Sequence, residues 1–123
     1  MKILVTGATG FTGGTLVRRL CDEGHRVSIL RRENSDSQRI KHLNIKHHIG
    51  DLNNISSLLK SMEGCDSVYH TAALVKQGAK FRKKLNAINV LGSKNLFRAA
   101  LKSGVKKVVA VSSATAVGAT THP

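Results

Sequence analysis

Apolar and polar positions alternate along this chain in two rhythms that replace one another in turn. "KILVT" (Lys2–Thr6) is a continuous apolar run, the pattern of a strand buried on both faces of a parallel sheet. From Thr12 to Glu23, Leu16, Val17, Leu20 and Cys21 recur at helical spacing, and Gly24 supplies a stop. "HRVSIL" predicts a second strand, followed by the polar loop "RRENSDSQR". "IKHHI" predicts a third strand running into the turn "GDLNN", where Asn53 or Asn54 caps a short helix, "ISSLLKSM", closed by Gly64. "DSVYH" is the fourth strand. After the loop "TAALVKQGAK", one long helix is expected from about Phe81 to Ser103, with Leu85, Ile88, Gly92, Leu96 and Ala99 or Ala100 facing inward. Gly104 ends it, and "KKVVAVS" is the fifth strand.

Strands that alternate with helices, with no hairpin turns between them, predict a parallel sheet joined by right-handed crossovers. The fold class is therefore α/β, a doubly wound sheet of about five strands. At 123 residues the chain is expected to form one domain over 1–123, with no repeat, linker or low-complexity segment.

Gly7, Gly10 and Gly13 lie between the first strand and the first helix, spaced Gly-x-x-Gly-x-x-Gly. The first gap is one residue longer than in the common dinucleotide fingerprint, but the physics carries over. Glycines let the backbone turn sharply and approach a pyrophosphate, which then meets the N–H groups and positive dipole end of the helix. A structural turn is the alternative reading of three glycines alone. The end of the second strand bears on which coenzyme is bound. An acid there would hold a ribose 2′-hydroxyl, whereas Arg31 and Arg32 suit a 2′-phosphate, pointing to NADP with NAD as the alternative.

Charge changes the picture less than its size suggests. Twenty Lys and Arg against seven Asp and Glu give a net +13, a field that attracts anions of every kind. The cations are scattered, densest at "KFRKK" (Lys80–Lys84), and the aromatic residues are only Phe11, Tyr69, Phe81 and Phe97. Without a stacking platform, nucleic-acid binding is expected to be non-specific and salt-sensitive. Cys21 and Cys65 stand apart with no ligand spacing, which suits free thiols in a reducing, cytoplasmic setting. No stretch approaches the ~18 apolar residues of a membrane span, and glycines interrupt any signal-like start. No metal cluster, Ser-His-Asp elbow or Walker lysine is visible. His42, His47 and His48 read as surface or strand residues.

Five landmarks in order carry a resemblance: "TGATGFTGG", "GDL" at Gly50–Leu52, "HTAA" at His70–Ala73, "NVLGSKNL" at Asn89–Leu96 and "VSSATAVG" at Val111–Gly118. Along nearly its whole length the chain resembles the N-terminal half of the extended short-chain dehydrogenases/reductases, the epimerase/dehydratase family. Its texture is closest to dihydroflavonol-reductase-like members. The resemblance implies a Rossmann-type NAD(P)-binding domain, incomplete because it stops before the substrate-binding region. It implies that Gly7, Gly10, Phe11, Thr12 and Gly13 bind the coenzyme, that Asp51 and Leu52 border its adenine, and that Ala72 and Ala73 lie against it. Asn89 matches the family's helix asparagine near the active site, and Ser113 its catalytic Ser/Thr. Read from the residues alone, Asp51 equally suits a turn or cap, Asn89 a local hydrogen bond and His70 a strand end, with no acid–base role for His70.

The family's Tyr-x-x-x-Lys is absent. The only tyrosine is Tyr69, in the fourth strand, with Ala73 four residues on. The reading implied is a coenzyme-binding portion of an oxidoreductase or epimerase acting on a hydroxyl or carbonyl substrate, catalytically incomplete as it stands. The alternatives are a non-catalytic NADP-binding sensor or partner protein and, more weakly, a basic nucleic-acid-binding protein. A fifth strand with one open edge is also expected to favour self-association.

Overall fold

A computed structural model describes residues 1–118; residues 119–123, the end of the expected 1–123 domain, lie outside the described residues. Five strands form one sheet: β1 (Lys2–Thr6), β2 (Arg26–Arg31), β3 (Lys46–Ile49), β4 (Ser67–His70) and β5 (Lys107–Ala110). Their order is β3-β2-β1-β4-β5 and every pairing is parallel. The chain winds outward from β1 to β3, then crosses back to β4 on the far side of β1. Such a reversal leaves a crevice beyond the carboxyl ends of β1 and β4, where sheets of this kind bind ligands.

Period-two alternation along β1 sends Leu4 to one face and Ile3 and Val5 to the other, all three fully buried. On Leu4's face, α2 (Ile55–Met62) and α4 (Ser93–Lys102) bring Leu58, Met62, Leu96 and Ala99 against Leu30 and Val68. On the opposite face, α1 (Phe11–Asp22) brings Val17 and Leu20 against Val27 and Ile29. The expected polar loop after β2 ends in a 3-10 turn, Gln38–Ile40, whose Ile40 is fully buried in this second core. Both faces of the sheet are covered, as the doubly wound reading requires.

Several boundaries differ from the sequence reading. β2 starts at Arg26, because the His25 N–H bonds the Leu20 carbonyl, and it extends to Arg31 through pairing with Ile49. Asn54, not Asn53, caps α2; its Oδ1 accepts the Ser57 N–H at 3.0 Å. β5 stops at Ala110, short of the expected Ser112. The single long helix is instead a succession: a 3-10 turn (Ala79–Phe81), α3 (Arg82–Leu85), a π-helical stretch (Asn86–Gly92) and then α4. The expected inward positions hold from Gly92 onward, where Gly92, Leu96, Ala99 and Ala100 are buried; Leu85 and Ile88 are half-buried. Among the described residues β5 pairs only with β4, and Lys106 and Lys107 stand exposed at its start.

Candidate functional site

The turn after β1 is shaped by atoms that have no room for a side chain. Gly7 has φ +77°, and a Cβ there would lie 2.5 Å from the Ala72 nitrogen. A Cβ on Gly13 would overlap the Gly7 carbonyl oxygen and lie 2.6 Å from Thr71 Oγ1. These two glycines let α1 start directly against the ends of β1 and β4. Gly10 sits more openly, meeting only the Gly7 oxygen, at 3.3 Å. It is the N-cap of α1, with no side-chain cap and no acid in the first turn. The N–H groups of a helix's first turn have no partner within the helix. In α2 the Asn54 side chain supplies one. In α1 no side chain does, so the helix presents N–H donors and its positive dipole end at the glycine turn.

Beside this turn opens a cleft of about 330 Å³. Gly7, Gly10, Arg31, Arg32, Asp51, Leu52, Ala72 and Ala73 line it, eight of the expected site residues brought together from the ends of β1, β2, β3 and β4. Phe11, Thr12, Gly13, Asn89 and Ser113 do not line it. Gly13 shapes the turn from behind, and Phe11 is 78% exposed. Ser113 follows β5, and its carbonyl accepts the Ala116 N–H at 2.9 Å.

The two arginines have different positions. Arg31 Nε donates to His47 Nδ1 at 3.1 Å, and its Nη1 donates to the carbonyls of Arg32 (3.2 Å) and Glu33 (3.0 Å). It braces the loop after β2, and the bond assigns His47 Nδ1 as the acceptor. Arg32 reaches the cleft from an exposed position. Across from them, Asp51 Oδ1 accepts the Asn53 N–H at 2.8 Å while the residue lines the cleft, so turn-making and site-lining coexist in one residue. Leu52, buried, forms the floor.

Asn89 acts one step behind the cleft. Its Oδ1 accepts the Leu74 N–H at 2.8 Å and its Nδ2 donates to the Leu74 carbonyl at 2.9 Å. It holds the cleft-lining loop after β4 in the way a neighbouring strand would, consistent with the hydrogen-bonding reading of this residue.

His70 is more than a strand end. It is buried, with Nδ1 2.7 Å from Thr6 Oγ1 and Nε2 2.9 Å from Ser93 Oγ, and Phe97 packs edge-on against it at 6.4 Å. This chain ties β1, β4 and α4 together beneath the cleft. Burial pushes the His70 pKa down, and the groups against it are hydroxyls and a phenyl ring. Below the ordinary histidine value of about 6.5 the unfolded chain therefore binds more protons than the folded one, and stability falls as pH falls. Denaturant midpoints should drop between pH 7 and pH 5, with His70 contributing at most about 1.4 kcal/mol per pH unit. In His70→Gln that slope should be shallower. It will not vanish, because His48 is shifted down too, by burial and then by Lys46 and Lys60. An unchanged slope would assign the pH dependence elsewhere.

The structure adds cleft residues that sequence reasoning passed over: Thr6, Thr9, Ser35, Thr71, Leu74, Lys84 and Ile88. Lys84 and Ile88 are four residues apart at the start of the segmented helix, a spacing that was available as a signal. Tyr69 packs into the α1-side core. Both cysteines are free and half-buried, and burial raises their pKa values. Among the described residues no group of three His, Cys, Asp or Glu comes together, and no helix is long and apolar enough to cross a membrane.

The model of the NAD dependent epimerase/dehydratase family matches residues 3–123. A putative dihydroflavonol 4-reductase of Synechocystis sp. is 40% identical over 114 residues, which are 93% of this chain and 33% of that protein. Sterol demethylase protein B of Methylococcus capsulatus is 40% identical over 118 residues, 96% of this chain and 36% of its own length. The chain thus spans about a third of the curated relatives it matches. Among solved structures, UDP-glucose-4-epimerase from Stenotrophomonas maltophila, with bound NAD and formylated UDP-arabinopyranose, superposes with a TM-score of 0.84. It is 29% identical, over 99% of this chain and 40% of that one.

Proposed function

This chain belongs to the NAD dependent epimerase/dehydratase family, and from that premise we propose that its cleft holds NADP(H) in preference to NAD(H). The observation that carries the reading is the uncapped N-terminus of α1, opening at a glycine turn into a cleft whose wall carries Arg31 and Arg32. Gly7 and Gly10 leave room for a pyrophosphate over the first-turn N–H groups. Asp51 and Leu52 border the adenine, and Ala72 and Ala73 leave space along the dinucleotide. Arg32 takes the 2′-phosphate directly, while Arg31 orders the loop that presents it. A bound nicotinamide coenzyme supplies hydride transfer.

For the whole protein we propose an oxidoreductase or epimerase acting on a hydroxyl or carbonyl group, with Ser113 as the hydroxyl that holds the substrate oxygen. The 123 residues contain no Tyr-x-x-x-Lys, so this reading gives them coenzyme binding and not proton transfer. The free thiols of Cys21 and Cys65 fit a cytoplasmic setting.

Calorimetric titration with NADPH and NADH is the test. NADPH should bind at least about tenfold more tightly, a difference of ~1.4 kcal/mol. The Arg31→Ala, Arg32→Ala pair should remove most of that preference and leave NADH affinity within about threefold. Equal affinities in the unaltered chain, or an undiminished preference in the pair, would refute the choice of NADP.

A further inference from the structure

We propose that Lys84 is a specificity-determining residue of this cleft, a cation that binds the phosphate on the adenosine ribose from the side opposite Arg32. The inference rests on the NADP reading above and deepens it. Of the four cations in the "KFRKK" run, only Lys84 lines the cleft. Lys80 lies over the Phe81 ring, its amine 5.1 Å from the centroid, and Arg82 lines a separate shallow depression with Leu85 and Asn86.

Packing positions Lys84. Ile88, one turn later on the same face, packs against the core cluster that contains Leu52. A Cβ on Gly92 would lie 3.0 Å from Leu52 Cβ, so the helix is pressed closely onto the cleft floor. Lys84 continues that face outward and lines the same cleft as Leu52, the residue read as bordering the adenine. Among the described residues Lys84 makes no salt bridge; the pairs within that distance are Arg19–Glu23 and His25–Glu23. Asp51, the single carboxylate lining the cleft, already accepts the Asn53 N–H.

Arg31 supplies the need for a second cation. Its Nε and Nη1 donate to His47 and to two carbonyls, so neither two-nitrogen edge of its guanidinium is open, and Arg32 offers the one whole fork for a dianionic phosphate at the end of β2. A lysine is a compact charge on a flexible stem, able to meet a phosphate from another element without a fixed bidentate geometry.

The test is calorimetric titration of the full chain and its Lys84→Ala, Lys84→Arg and Lys83→Ala variants with NADPH and NADH at fixed salt. Lys83→Ala removes the same charge from a neighbour that does not line the cleft. Lys84→Ala should weaken NADPH about five- to tenfold and NADH less than about twofold. Lys84→Arg should retain NADPH affinity, and Lys83→Ala should match the unaltered chain. Equal losses in Lys84→Ala and Lys83→Ala would reduce the effect to the general field of a basic protein and overturn the inference. So would equal weakening of both coenzymes, or none, while the NADP preference of the unaltered chain stood. Failure of the unaltered chain to bind either coenzyme would overturn the site reading and this inference together.

Discussion

Gly13→Ala should destabilise the fold by about 3 kcal/mol or more and abolish coenzyme binding. The added methyl would overlap the Gly7 carbonyl oxygen, and its other neighbours are the Gly7 carbonyl carbon and Thr71 Oγ1, each 2.6 Å away. Two of these three atoms are backbone, so no rotamer change relieves the clash; α1 must move off β1. That movement removes Val17 and Leu20 from their core and carries the helix N-terminus away from the cleft. Gly24→Ala is the matched control. Gly24, unlike the helical Gly13, has a positive φ (+79°), but nothing lies within 4 Å of its would-be Cβ. Its cost should be the backbone strain alone, about 1 kcal/mol. Urea melts of both variants check the contrast. A Gly13→Ala midpoint equal to that of Gly24→Ala would show that the close approach of α1 is not what the turn requires.

Leu4→Ala should cost about 2–5 kcal/mol. Leu4 is fully buried in the middle strand, where α2, α4 and β4 converge on it, and the close packing on that face limits how far neighbours can collapse into the space. A typical domain holds only about 5–15 kcal/mol in total, so much of the chain's stability would be lost. Leu101→Ala, at a position 82% exposed on α4, should shift stability by no more than about 0.5 kcal/mol. Denaturant midpoints with an unchanged slope would report both. A small effect at Leu4 would mean that the two-sided sheet core is not cooperative.

The elements were legible in the sequence wherever burial imposed a period. Ile3–Val5 of "KILVT" is an unbroken apolar run because both faces of β1 are covered, whereas the fifth strand, half-buried at Val108 and Val109, was recognisable from its β-branched run. The π-helical stretch was not. Nothing in "NAINVLG" breaks an α-helix. The stretch coincides instead with Asn89 gripping Leu74 and Gly92 seating against Leu52, contacts made far along the chain that periodicity does not encode. His70 does end β4, as read, but its bonds were not legible for a similar reason: its partners, Thr6 and Ser93, lie 64 and 23 residues away. Arg31 and Arg32 are equivalent as letters. They part only once pairing with Ile49 places Arg31 at the end of β2, one strand over from His47. Lys84 was visible only as one charge in a basic run, because its distinction depends on which helix face meets Leu52.

The strand order has a consequence for how the chain is made. β1 is the first of these five strands to leave the ribosome and the middle strand of the sheet they form. β2 reaches it early, but its other neighbour begins at Ser67, and the Thr6–His70 bond spans 64 residues. At ribosomal rates of about 5–20 residues per second, one side of an apolar strand stays unpaired for roughly 3–13 s. During that interval Leu4 and its neighbours face the solvent or a chaperone, and loop closure rather than local structure sets the pace. A nascent chain halted before β4 should therefore be sticky at β1. The residues that open the cleft are thus made well before the strand and helices that enclose them.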